Sequence, residues 1–224
     1  MKKLSFLFIF SAILLNLSAQ KREFFPYLVN VGYGLYVPRD YTSASQYNSA
    51  LDPSEVALVF VKISPSQKQK IIVSYTDAPS DDPTYKFYKV LSNGELQFMF
   101  SITADELYIP GNGNLYAAGT SDDWFDRHRK YRFTGNNIKE VHQPFYYVGM
   151  KTTTLQTIKL YADKTCKYPI AVIPKGSTII VVAAEFAEMP VKFLIKSPFG
   201  LMGWWKLDNV TESKKIQGLR FNGD

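Results

Sequence analysis

Apolar residues in this chain alternate in short runs closed by turn-forming residues, and this restricts it to strands more than any other feature. No segment sustains an apolar period near 3.6, the mark of an amphipathic helix. Glu95–Ile102 sets Leu96, Phe98, Phe100 and Ile102 on one face. Lys70–Tyr75 sets Ile71, Val73 and Tyr75 together. Both read as half-buried strands. Val56–Ile63 is apolar nearly throughout and reads as a central strand covered on both sides. Ser92-Asn93-Gly94 predicts a tight hairpin between Tyr85–Leu91 and Glu95–Ile102. Pro110–Asn114 joins Glu106–Ile109 to Leu115–Ala118, and Thr134–Asn137 joins Lys130–Phe133 to Ile138–Val141. Turns at such spacing predict a mainly β fold with an antiparallel β-rich N-terminal domain. Short helical turns are expected at Asp52–Glu55, through a capping box, and near Ser121–Asp126.

The first residues follow a different pattern. Lys2 and Lys3 precede an apolar run from Leu4 to Leu17, which ends in Leu17-Ser18-Ala19. This is the pattern of a secretory signal cleaved after Ala19, so that the mature chain begins at Gln20. The run is short for spanning ~30 Å of hydrocarbon, which favours cleavage over a membrane anchor. No Cys stands at the cleavage point to carry a lipid. Val172–Phe186 is interrupted by Pro174, Lys175 and Gly176, so no transmembrane segment is expected after cleavage. The protein is expected to be exported, to the periplasm or beyond.

The whole chain carries a formal charge of +6, and loss of residues 1–19 removes two lysines and no acids, leaving +4. The densest basic cluster, Arg127–Arg132, alternates between faces in a strand and makes no single stripe. No nucleic-acid partner is expected. With 46% hydrophobic and 21% charged residues, the chain is neither a disordered tail nor a coiled coil.

The composition changes after Tyr147, where Gly149–Thr154 is small, polar and unpatterned. The expected organisation is a signal peptide at 1–19, a β-rich domain at 20–150, a smaller unit at 151–212 and a C-terminal tail at 213–224. The smaller unit carries IKLY (158–161), IAVIPKGSTIIVV (170–182) and FLIKSPFGLMGWW (193–205) in order. These stretches resemble the bacterial Src-homology-3-like (SH3b) family, over about a quarter of the chain. The resemblance implies a small, strongly bent β-barrel of five or six strands. It also implies a role at the cell envelope, where many members bind peptidoglycan stem peptides or bridges. Tyr161 matches the family's early aromatic and Trp204 its Gly-Trp position. Trp205 departs from the usual aliphatic. Adjacent tryptophans in a strand face opposite ways, so Trp204 is expected in the barrel core and Trp205 toward solvent or the first domain. The candidate binding residues are Tyr161, Trp204 and Trp205. Residues 125–148 look like stretches of uncharacterised secreted β-rich proteins of the Bacteroidetes type, a resemblance that implies no activity.

Catalytic chemistry finds little support in the residues. Cys166 is the only cysteine and lies in the second unit, whereas His128 and His142 lie in the first. A cysteine nucleophile needs a histidine beside it. Two histidines fourteen positions apart supply no zinc motif. Asp122, Asp123 and Asp126 could hold Ca²⁺, but Ser121 reads better as the cap of a helical turn. Asp81-Asp82-Pro83 reads as a plain turn. Most of Tyr27, Tyr33, Tyr36 and Phe145-Tyr146-Tyr147 are expected in the core, and a surface remainder would suit an envelope-binding protein. The expectation is a non-enzymatic binding or adaptor protein without cofactor or metal, its partner peptidoglycan or an envelope protein. The alternative is a cell-wall hydrolase using carboxylates of the first domain.

Overall fold

The computed structural model describes residues 25–77, 82–209 and 212–223. The leader, its cleavage point and Asp81 lie outside the described residues. The chain is mainly β. It opens with β1 (Leu28–Asn30) and β2 (Leu35–Pro38), joined through Gly32-Tyr33-Gly34, all at positive φ. Gly34 has no alternative, because a Cβ there would overlap the Asp105 carbonyl oxygen. A five-stranded sheet follows, with β3 (Thr42–Ser43), β4 (Val56–Val61), β5 (Ile71–Thr76), β6 (Thr84–Val90) and β7 (Leu96–Thr103) paired in that order. The chain then returns to the first sheet with β8 (Glu106–Tyr108), β9 (Asn114–Ala118), β10 (Arg129–Phe133) and β11 (Ile138–Glu140). Its order is β1-β2-β8-β9-β10-β11.

The hairpins expected at Ser92–Gly94, Pro110–Asn114 and Thr134–Asn137 join β6 to β7, β8 to β9 and β10 to β11. One pair departs from the antiparallel expectation, since β2 and β8 run parallel. The second sheet lies between them in sequence and serves as the long crossover that a parallel pair requires.

The first two sheets share one core. Leu35, Leu107, Ile109 and Leu115 meet Val59, Ile71, Val73 and Phe87 across it. The strand covered on both faces is β5, not Val56–Ile63, because β5 is central in its sheet and the 3₁₀ turn Ser45–Ala50 packs beside β4. Ile72 faces a small second cluster with Ala44 and Ala57. In β7 the four apolar residues do not share a face. A bulge pairs Phe87 with Phe100 but Tyr88 with Phe98, so Phe100 and Ile102 enter the core and Phe98 is left 54% exposed.

The third sheet contains β12 (Phe145–Thr153), β13 (Ile158–Tyr161), β14 (Pro169–Ile173), β15 (Thr178–Glu185), β16 (Lys192–Lys196) and β17 (Met202–Lys206). Its order is β12-β15-β16-β17-β13-β14, and it does not close into a barrel. The boundary expected near residue 150 falls inside β12. That strand is hidden in the sequence because its second half is small and polar, although Tyr146, Val148 and Met150 alternate onto the core through the bulge in which Gly149 sits at φ 67°. Ile158, Leu160, Val181, Phe193 and Ile195 form the core of this sheet. Trp124 and Phe125 enter it from the β9–β10 connection, and Ile216 and Leu219 enter it from the stretch expected to be a tail. No helix among the described residues is long and apolar enough to cross a membrane.

Neither expected helical turn forms. At Asp52 the carboxylate accepts from the backbone N–H and hydroxyl of Ser54, making a local turn. Glu55 closes no capping box. It is buried and accepts from Ser74, Lys86 and Tyr88. Ser121 donates to Asp105, which also accepts from the Thr120 N–H, and this ties the loop down in place of a cap.

Candidate functional site

Strand pairing in the third sheet determines what its two faces carry. Tyr147 pairs with Ala183, Ala183 with Leu194, Leu194 with Trp204, and Trp204 with Tyr161. Directly opposed residues share a face, so this row lies on one side. The next row, Tyr146, Ala184, Phe193 and Trp205, lies on the other and fills the core. The expected orientation of the tryptophans is therefore reversed. Trp205, 3% exposed, is the core residue, and Trp204 belongs to the outer face.

The reason is Gly203. It shares the inner face with Trp205, and a Cβ built on it would stand 2.8 Å from the Cβ of Leu160. The glycine of the Gly-Trp pair lets β13 pass close on the core side, so the tryptophan after it must point outward. Of the three candidate binding residues, the structure brings Tyr161 and Trp204 together and removes Trp205 from access.

Trp204 is nonetheless only 8% exposed. The ring of Phe145 lies 6.0 Å away, tilted at 41°, and Lys164 Nζ stands 5.0 Å from both ring centroids. Such a cation over aromatic faces contributes about 0.5–1 kcal/mol at an exposed site. Phe145 itself is 43% exposed and Tyr147 74%. Alternation along β13, β16 and β17 places Lys159, Lys192, Lys196 and Lys206 on this same face. Glu185 faces Lys192 at 3.5 Å. The result is an aromatic centre ringed by ammonium groups, suited to a partner with an apolar part and carboxylates. The sequence points to Phe145 through its Pro-aromatic run. Lys164, an unremarkable loop residue, carries no signal.

The residues weighed for catalysis are spread apart. Cys166 sits in the β13–β14 loop at φ 53°, and burial pushes its thiol up, away from the thiolate a nucleophile requires. His128 faces Asp126 at 3.2 Å, and the His142 ring lies against Phe186 at 4.5 Å. Asp122, Asp123 and Asp126 diverge. Asp123 is buried against Arg127 at 2.9 Å, and burial pushes its carboxyl up against the pull of that guanidinium. Arg127 also donates to Tyr146 and to the carbonyls of Ala187 and Glu188, which ties the β9–β10 connection to the third sheet. These groups serve packing, since a buried charge persists only when paired and hydrogen-bonded. Among the described residues no group of three or more His, Cys, Asp or Glu is placed to hold a metal.

No protein-family model matches the chain, and no curated protein matches it in sequence. Its function has to be argued from geometry.

Proposed function

We propose that this protein is exported and acts at the cell envelope as a non-catalytic binding or adaptor protein. Its binding surface is the outer face of the third sheet, in an SH3b-like unit. The observation that carries the reading is the pairing of Tyr161 with Trp204 inside a ring of lysines. Around that pair the exposed rings of Phe145 and Tyr147 offer apolar area with little flexibility to lose. Lysines attract carboxylates from a distance. A peptidoglycan stem peptide offers both short apolar side chains and free carboxylates, and an acidic segment of an envelope protein offers the same. Support for the SH3b-like reading comes from where its motifs fall: IKLY on β13, Pro-Lys-Gly-Ser on the β14–β15 turn and Gly-Trp on β17.

The test is sedimentation of the purified protein with purified peptidoglycan, with released muropeptides measured in the supernatant. Retention without release is expected, with retention lowered by Tyr161→Ala and by Lys164→Met. Release of muropeptides would overturn the non-catalytic reading. Unchanged retention in both variants would overturn the assignment of the face.

A further inference from the structure

The first sheet carries an aromatic row of its own on the face turned away from the shared core. The parallel pairing of β2 with β8 and the antiparallel pairing of β8 with β9 set Tyr36, Tyr108 and Tyr116 side by side. Neighbouring strands lie ~4.8 Å apart, so the three tyrosines stand in a row. Tyr36 and Tyr108 stack at 4.4 Å and 10°. Their hydroxyls both donate to Glu106, at 3.3 and 2.5 Å. Burial and the Glu106 carboxylate push the Tyr108 hydroxyl well up, so it stays protonated and keeps donating.

Phe25 stands against this row, 5.7 Å from Tyr108 and 4.9 Å from Tyr116. A cavity of about 390 Å³ opens beside it, in the size range of small-ligand sites. Tyr108 and Tyr116 line it, and Ala118 leaves room between strands. His128, Lys130 and Gln143 supply its polar side chains, with Lys130 Nζ 5.7 Å from the Tyr116 ring. Arg129 also lines it and donates to the Thr103 carbonyl. Gln143 is held by a bond from its amide to the His128 carbonyl. Among the described residues no carboxylate lines the cavity: Glu106 is held by the tyrosine hydroxyls, and Asp126 faces His128 from outside the lining.

We propose that this cup binds a saccharide whose pyranose ring bears a carboxylate. The axial C–H groups of a pyranose make one face of the ring apolar, and that face can lie against Tyr116 and Phe25, which line the cavity. The hydroxyl edge then meets Gln143 and His128, and the carboxylate meets the Lys130 ammonium. A neutral sugar leaves that ammonium unmatched. The site is separate from the third-sheet face and does not depend on the reading of that face.

The test titrates the purified full chain with methyl glucuronide, methyl glucoside and N-acetylmuramic acid, followed by NMR or calorimetry. The carboxylated sugars are expected to bind roughly tenfold tighter than the neutral one, the worth of one hydrogen bond to a charged group. Lys130→Met is expected to erase that difference. Tyr116→Ala is expected to abolish binding of all three. Tyr116→Phe, which keeps the ring and the sheet packing, is expected to retain it within about twofold, since the hydroxyl is not the stacking surface. Binding of the uronide alone assigns the source to acidic polysaccharide, and binding of the muramic acid alone assigns it to glycan strands freed of their stem peptides, where the lactyl carboxylate is uncovered. The proposal is overturned by the absence of saturable binding to either acid, by equal affinity for acid and neutral sugars, or by an unaffected Lys130→Met variant.

Discussion

The outer faces of the first and third sheets are built alike and finished differently. Each sets aromatic residues from adjacent strands in a row and brings a lysine over a ring. On the first sheet Phe25 stands to one side of Tyr108 and Tyr116, and a cavity remains. On the third, Phe145 and Lys164 close over Trp204. A row of rings is thus only raw material. Whether it becomes a pocket or a sealed, flat surface depends on one or two residues from outside the row. A pocket selects a small rigid ligand, whereas a flat cationic face suits an extended one.

The comparison depends first on the third sheet having its faces as described. Trp205→Ala is expected to cost about 3–5 kcal/mol, the usual effect of truncating a large aromatic in a core. Chemical denaturation of the full chain measures it. A milder effect than that of Trp204→Ala would mean the inner and outer faces are exchanged. Gly203→Ala is expected to cost about 1–3 kcal/mol, because the new methyl meets the Leu160 Cβ, an atom close to the backbone with little room to move. If the variant melts with the native protein, β13 does not depend on the glycine for its approach.

Smaller effects separate the sealed face from the open one. Trp204→Ala is expected to cost about 1–2 kcal/mol and to weaken peptidoglycan retention, while Tyr116→Ala, beside an open cavity, costs about 1 kcal/mol or less. Thermal melts of the two variants rank them, and the reverse ranking would remove the distinction between the faces. Cys166→Ser is expected to change stability by no more than ~0.5 kcal/mol. Because burial raises the thiol, iodoacetamide should label Cys166 more slowly in the folded protein than after denaturation. Rapid labelling of the folded protein would point instead to an activated cysteine.

The strands were legible wherever their signal was local. The turns at Ser92–Gly94, Pro110–Asn114 and Thr134–Asn137 lie where glycine and asparagine place them, because the conformations they permit depend on a few consecutive residues. Faces were legible only up to the first bulge. Met99 in β7 and Val182 in β15 each add a residue with no direct partner, and from there onward odd and even positions exchange sides. This misplaced Phe98, whereas β12 was hidden by the small polar residues of its second half. The exchange of sides played no part at Trp204 and Trp205, where alternation holds and the error lay in assigning the core to the wrong member of the pair.

The sequence by itself determined that this is a chain of short strands and tight turns, and which residue types it could offer a ligand. It also determined that Tyr161 and Trp204 were worth watching. Only the tertiary structure decided which of these residues meet. Tyr161 adjoins Trp204 because β13 pairs with β17 across intervening strands, and Tyr36 adjoins Tyr108 because β8 returns to β2 after a whole sheet has been laid down. Such neighbours are chosen by the burial of two cores, which sums weak contacts over many strands. No local pattern records that choice, since the alternation that makes a strand is the same whichever partner the strand takes.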